Sequence, residues 1–554
     1  MTPVLNPHIF SVSDIQLHTI KDKTIRHCAQ RHIEKNWKIV DWQVVQEIVC
    51  AIVLDHLIKN KNLRVGIFAS SLQAHDCLKA IVKQLENTPV NIIYLYSGKP
   101  HEDIHLPCQM DISNGYASTT ELDICICLAL HPPVGLDVTR VVQPFELECY
   151  INLAWKQNLQ AAYSFAEKIQ HCILSNKPLV IFIAIRHGNH PTIEHIARGL
   201  QFAHNISTFG IYLDPEPPKN VFSDTFCCNS SLGILAQLLT ILPTCKIYLQ
   251  AYANWSYLCQ FIKAISPKHF IVQEIYDWMG AFIDNKNSFI KEGLFSSETI
   301  KLMQQSEKFA CNHLEGLIYK DGGEWISKKL ANSRTPNLQV APCPPKTYMF
   351  KPNNLNHIAQ YKLVYAGQVC HSKMSTKLFG DIYYIPVIKE LSSQDMHITV
   401  YNALHATQKH PTDLYQEYIN ESNTNPNFDF KPGIPFPEII KELNYNFHFG
   451  LIAYYFEHNL DVGNAHLSGT MASKLFTYIA AGLPVIVSAR LGYMADFVSK
   501  ENIGIVVDND DIRNLNAILQ SINYSMLQSN VLLAQEKFAI DKQIPAIKQL
   551  LKFT

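Results

Sequence analysis

The chain has 554 residues, 47% of them hydrophobic, and carries 47 Lys and Arg against 48 Asp and Glu. That length exceeds what one core can organise, and a net charge of −1 leaves no cationic footprint for nucleic acid or strongly anionic lipid. The longest apolar run, residues 178–185 (PLVIFIAI), is strand-sized rather than membrane-spanning, while 15 irregularly spaced cysteines and no charged-apolar-small leader point to a reducing cytosol.

Residues 15–61 read as helical, with Val44, Val45, Ile48, Val49, Ile52, Val53 and Leu57 on one apolar stripe. A strand (63–68, LRVGIF), a helix, a second strand (VNIIYLY) and a third (122–130, LDICICLAL) then make a small βαβ domain. Its first turn reads ASSLQA where a dinucleotide fold carries GxGxxG, and Tyr96-Ser97 follow strand two where an acidic ribose ligand belongs. Docking and purely structural roles therefore stand beside cofactor binding. A connecting helix, 151–176, completes an expected accessory domain over residues 1–176.

The second βαβ run opens with PLVIFIAI, the turn RHGNHPT and the helix IEHIARGLQFA. Strands FGIYLD, KIYLQAY, HFIVQEIYD and GLIYK follow, and the Pro-rich stretch 341–354 reads as a linker, giving an expected domain over 177–345. The third run, 346–525, starts at YKLVYAGQV and continues through a helix interrupted by Pro386, the strands MHITVYNA and FDFKPG, the helix EIIKELN and the strand FGLIAYY. Residues 526–554 read as a helical tail long enough to return across a cleft to the preceding domain.

The most informative stretch is 470–487, TMASKLFTYIAAGLPVIV. Met471, Leu475, Tyr478 and Ile479 share one helix face, Thr470 is placed to cap the first turn, Gly482 ends the helix, and Val485, Ile486 and Val487 form a doubly buried strand. Such a unit presents a helix N-terminus to the crevice at the strand ends, which favours a phosphate; Thr470, Ser473 and Lys474 sit there. An ordinary αβ unit whose Ser and Lys only cap and solvate fits the same pattern.

Two successive doubly wound domains, with LVYAG (363–367), SKLFTYIAAGLPVIVS (473–488), Gly492, Asp496 and IGIVVD (503–508) in this order, resemble the GT-B glycosyltransferases, nearest to the retaining, family-4-like members. The resemblance covers about residues 178–554. It implies an α/β fold of two Rossmann-like domains preceded by a smaller Rossmann-like one, and transfer of a hexosyl group from a nucleotide-diphosphate sugar (UDP- or GDP-linked) to a hydroxyl of a glycan, lipid-linked or protein acceptor. It further implies retention at the anomeric carbon, with no cofactor or metal required. A cytoplasmic location with room for peripheral membrane association at the inner face is expected.

By this resemblance the donor site holds Gly367, Lys373, Lys377, Gly433, Thr470, Ser473, Lys474, Leu475, Thr477 and Tyr478. A fixed Lys beside the leaving diphosphate stabilises charge that grows in the transition state. On the acceptor side, His187 and Asp277 join Lys474 as catalytic candidates, and Gly188, His190 and Trp278 as acceptor contacts. Each has a bland alternative: solvated loop lysines and histidines, a helix-capping Asp277, a core Trp278. The loop 454–469 suits a lid, with Glu457 and Asp461 as sugar ligands or solvated residues. Family members carry two glutamates where this chain has Gly469 and Thr477, and Thr cannot give a bidentate carboxylate. A nucleotide-sugar 2-epimerase of the same fold and a non-catalytic GT-B-like scaffold therefore remain as alternatives.

Overall fold

The structure is a computed structural model that describes parts of 46–57 and residues 63–69, 72–96, 109–111, 122–128, 141–142, 153–185, 192–213, 221–228, 232–283, 285–352, 360–402, 414–454 and 460–553. The turn bearing His187, Gly188 and His190 lies outside the described residues, as does Glu457. The chain forms two compact units, one of Met1–Gln170, Cys228–Pro243 and Phe261–Pro267, the other of His171–Cys227, Thr244–Gln260 and Lys268–Thr554.

In the first unit, β1 (Arg64–Ala69), β2 (Asn91–Tyr96), β3 (Gln109–Asp111), β4 (Ile124–Leu128) and β5 (Val141–Val142) form a parallel sheet in the order β3-β2-β1-β4-β5. Helix α1 (Leu72–Leu85) contributes Ala74, Leu78 and Ile81 to a core shared with Val65 and Ile67 of β1. The edge strands β3 and β5 escape sequence reading because two or three residues are too few to show a period.

The second unit holds two parallel sheets. The first runs β12-β11-β10-β9-β6-β7-β8, from β6 (Leu179–Ala184), β7 (Ser207–Tyr212), β8 (Asp224–Cys227), β9 (Lys246–Gln250), β10 (Phe270–Ile275), β11 (Gly316–Tyr319) and β12 (Asn337–Gln339). The second runs β15-β14-β13-β16-β17-β18, from β13 (Lys362–Ala366), β14 (His397–Asn402), β15 (Phe428–Pro432), β16 (Phe449–Ile452), β17 (Val485–Ser488) and β18 (Gly504–Val507). Both orders begin at a central strand, step outward twice and then cross to the other side. That is the doubly wound pattern, with a crevice at the carboxyl ends where the order reverses. Strand β6 is buried at all six residues and β17 at all four, as strands covered on both faces must be.

Pro386 opens a helix rather than kinking one: the expected single helix is split into short turns ending at Ile382 and a helix Ile385–Ser393 with proline in its first turn, where no N–H is needed. Helices α2 (Thr192–His204), α3 (Gly323–Ala331), α4 (Asn464–Gly469), α5 (Ser473–Ala480) and α6 (Ile540–Leu550) bear on the site. In α6, Ile540, Ile544 and Ile547 are buried in the cluster that contains Ile193, Ile196 and Leu200 of α2. Gly199 permits this close approach, since a Cβ there would lie 2.7 Å from Ile544 Cδ1.

Candidate active site

The stretch 470–487 folds as its local sequence dictates at the C-terminal end. Gly482 has φ +76°, its N–H donates to Ile479 O at 2.9 Å and that of Leu483 to Tyr478 O at 2.9 Å, the paired bonds of a Schellman stop. The N-terminal end differs from expectation. Thr470 closes α4, and α5 starts at Ser473 behind Ala472, with no side-chain cap. The Met471 N–H, next to Thr470, donates to Asp321 Oδ1 at 2.9 Å, so a carboxyl group 150 positions away holds the chain just ahead of α5.

Two expected donor ligands turn out to be core residues. Leu475 is fully buried and its N–H is used by Ala472 O at 3.1 Å; Tyr478 is fully buried, its hydroxyl accepting from Ala366 N at 2.9 Å. Both lie on the helix that the resemblance points to, and both occupy its inward face. Gly433 is exposed and its N–H donates to Asn402 O at 2.9 Å. Lys373 and Lys377 are exposed on the segment after β13. Thr477 is half-buried, its hydroxyl 3.5 Å from Ser473 O.

Lys474 and Gly367 do come together. Lys474 Nζ donates to Tyr365 Oη at 2.8 Å and Tyr454 Oη at 3.1 Å, and it lies 4.4 Å from the Tyr365 ring centroid. Tyr365 is on β13 and Tyr454 follows β16, so the ammonium stands at the crevice where the strand order reverses. A Cβ on Gly367 would be 3.0 Å from Lys474 Cε, so the glycine leaves room for the lysine side chain to lie against the backbone there. Burial pushes the lysine down to about 8, with Asp381 opposing, and burial pushes Asp381 up to about 6. Among the described residues no carboxylate reaches ion-pair distance of Lys474. A half-buried cation with neutral hydroxyl ligands, beside a helix N-terminus, gains from an arriving anion.

On the facing sheet, Tyr276 and Asp277 follow β10, and Lys320 and Asp321 follow β11. Lys320 Nζ donates to Asp277 Oδ1 at 3.2 Å and Asp321 Oδ1 at 3.1 Å, and sits 4.4 Å from the Tyr276 ring centroid. The Tyr276 and Ser473 hydroxyls are 3.1 Å apart. Burial by itself would lower Lys320, but the Asp321 and Asp277 carboxylates hold it above the ordinary lysine range. Sequence reading found Asp277 but not Lys320 or Asp321, although the same signal, an ionisable residue just past a buried strand, marks all three. Trp278 is only 1% exposed and packs edge-on against Tyr319 and Trp325. It is core rather than a platform for sugar, because at 1% exposure neither face of the indole is open to a ligand.

The absent glutamate at Gly469 has a steric reason. A Cβ there would lie 2.6 Å from Gly322 O, and the Gly322 N–H donates to Gly469 O at 2.8 Å, so the two backbones touch where α4 meets the start of α3. Gly323, with φ +87°, makes that turn possible.

Residues 393–540 match the family model described as "Glucosyltransferase 3-like, C-terminal domain". No curated protein matches the chain. Among solved structures, α,α-trehalose 6-phosphate synthase from Burkholderia multivorans is 9% identical, with 68% of this chain and 98% of that one covered at a TM-score of 0.45. Anabaena Alr3699/HepE in complex with UDP and glucose is 12% identical, with 68% and 99% covered at a TM-score of 0.46. Two doubly wound parallel sheets in one unit, the second lying within the matched span for most of its length, are the arrangement of the GT-B fold.

Proposed function

We propose that the chain transfers a hexosyl group, with glucose the first to test, from a UDP- or GDP-sugar to a hydroxyl of a glycan, lipid-linked or protein acceptor, with retention. The observation that carries this is Lys474: a half-buried cation with hydroxyl rather than carboxylate partners, at the switch point of the donor-side sheet. The diphosphate binds there and at the N-terminus of α5, near Gly367, with Ser473 and the exposed Lys373 and Lys377 at hand. As the anomeric carbon's bond to the diphosphate oxygen breaks, the acceptor oxygen bonds to that carbon and its proton passes to the departing phosphate oxygen. Lys474 offsets the charge that this oxygen gains. Asp277 accepts a hydrogen bond from the acceptor hydroxyl and orients it, and His187 and His190 complete the acceptor side. The match of residues 393–540 to a glucosyltransferase 3-like domain supports glucose as the transferred sugar.

Calorimetric titration with UDP-, GDP-, dTDP- and CDP-sugars tests the donor. Replacing Lys474 by Ala should weaken donor binding or turnover at least about tenfold, the loss of roughly 1.4 kcal/mol. Wild-type behaviour in that variant removes the phosphate assignment. A second reading, sugar epimerisation, is favoured by the convergence of Asp277 and Asp321, whose charges both act on His466. Inversion at C2 of the bound donor without transfer selects it, and failure of every donor to bind at millimolar concentration leaves the scaffold reading.

A further inference from the structure

Lys320 is 7% exposed and Asp321 2%, so neither serves to solvate the surface. Burying an ammonium beside a carboxyl group is costly, and a lysine held between two carboxyl groups offsets that cost only by satisfying both. The two carboxylates do different things. Asp277, its side chain 31% exposed, faces the crevice, whereas Asp321 is turned inward, where one oxygen accepts from both Lys320 Nζ and the Met471 N–H, just ahead of α5. Four other polar groups face this centre: Tyr276 and Glu274 from β10 and its end, His466 from α4, and Ser473 from α5.

We propose that Lys320 is a positioning residue, whose one ammonium fixes Asp277 at the crevice and, through Asp321, ties it to the N-terminal end of the donor helix. The chain thereby registers the acceptor-side carboxylate against the diphosphate end of α5. The reaction geometry is then set by a residue that touches neither substrate. This deepens the transferase reading, and its catalytic consequence rests on that reading; the tie itself does not.

The test replaces Lys320 by Met in the full chain, with Lys320→Gln as a polar, uncharged substitute if the first variant fails to fold. Without the ammonium, the Asp277 carboxyl should titrate about one unit or more higher in a ¹³C-carboxylate NMR titration. The Met471 amide should exchange with solvent at least about tenfold faster. In assays, kcat should fall at least about tenfold with its acid limb displaced upward by the same amount, while binding of UDP-glucose in calorimetry stays within about twofold. If the wild-type chain transfers no sugar, the functional reading fails and the two NMR measurements still decide the tie. An unchanged Asp277 titration together with unchanged Met471 exchange overturns the proposal. So does a variant that keeps both kcat and its acid limb.

Discussion

Replacing Gly469 by Ala should open the contact between α4 and α3. The added Cβ would sit 2.6 Å from Gly322 O, and because that atom is backbone it cannot rotate away as a side chain would. Forcing a methyl into such a site costs about 1–3 kcal/mol. Losing the 2.8 Å bond from Gly322 N to Gly469 O adds about 1 kcal/mol. At about 1.4 kcal/mol per tenfold, even 2 kcal/mol raises the open population by roughly 30-fold. Amide exchange at Gly322 reads this directly, with the amides of β17 as an internal control for global stability. Unchanged exchange at Gly322 in a folded Gly469→Ala protein would refute the steric reasoning. The same argument extends to the glutamate that the sequence resemblance leads one to expect here: Gly469→Glu should lower turnover rather than restore a sugar contact, because the backbone has to part before the carboxylate can be placed.

Two further expectations concern pH. Lys474, pushed down to about 8 by burial, is charged below that pH, so donor KM should be flat through neutrality and rise above pH 8; Lys474→Arg, which keeps its charge, should flatten that rise wherever the longer head is accommodated. Glu274 is pushed up to about 7 by burial, against hydrogen bonds from Gln250 Nε2 at 2.8 Å and Tyr248 Oη at 2.9 Å. A carboxyl whose folded value is raised binds more protons folded than unfolded, so its contribution is full below the unfolded value and is lost as pH rises towards 7. Glu274→Gln should remove that slope and gain on the order of a few kcal/mol of relative stability at pH 8, read from denaturant unfolding at pH 5 and 8. Equal slopes in the two proteins would show that Glu274 is ionised when folded.

Much of the helix Ser473–Ala480 was legible in the sequence because its determinants are neighbours. The spacing of Met471, Leu475, Tyr478 and Ile479, the left-handed Gly482, Pro484 and the apolar triplet that follows act within a turn or two, and all four apolar residues are buried as that spacing requires. The same local logic failed at the helix start. Thr470 is a good capping residue by type, yet Asp321 takes the neighbouring N–H, a partner no local rule can supply.

The sequence by itself determined the three βα alternations, the stop at Gly482 and the lysine placed at the start of a crevice-facing helix. Only the tertiary structure decided which residues of that helix look outward, that Lys474 is held between Tyr365 and Tyr454, and that Lys320 joins Asp277 to Asp321. Periodicity and turn chemistry act between residues a few positions apart, where the chain's own geometry sets the distance. Meetings such as Tyr276 with Ser473, 197 positions apart, depend on how two separately built sheets are docked, and that is fixed by packing rather than by any local preference.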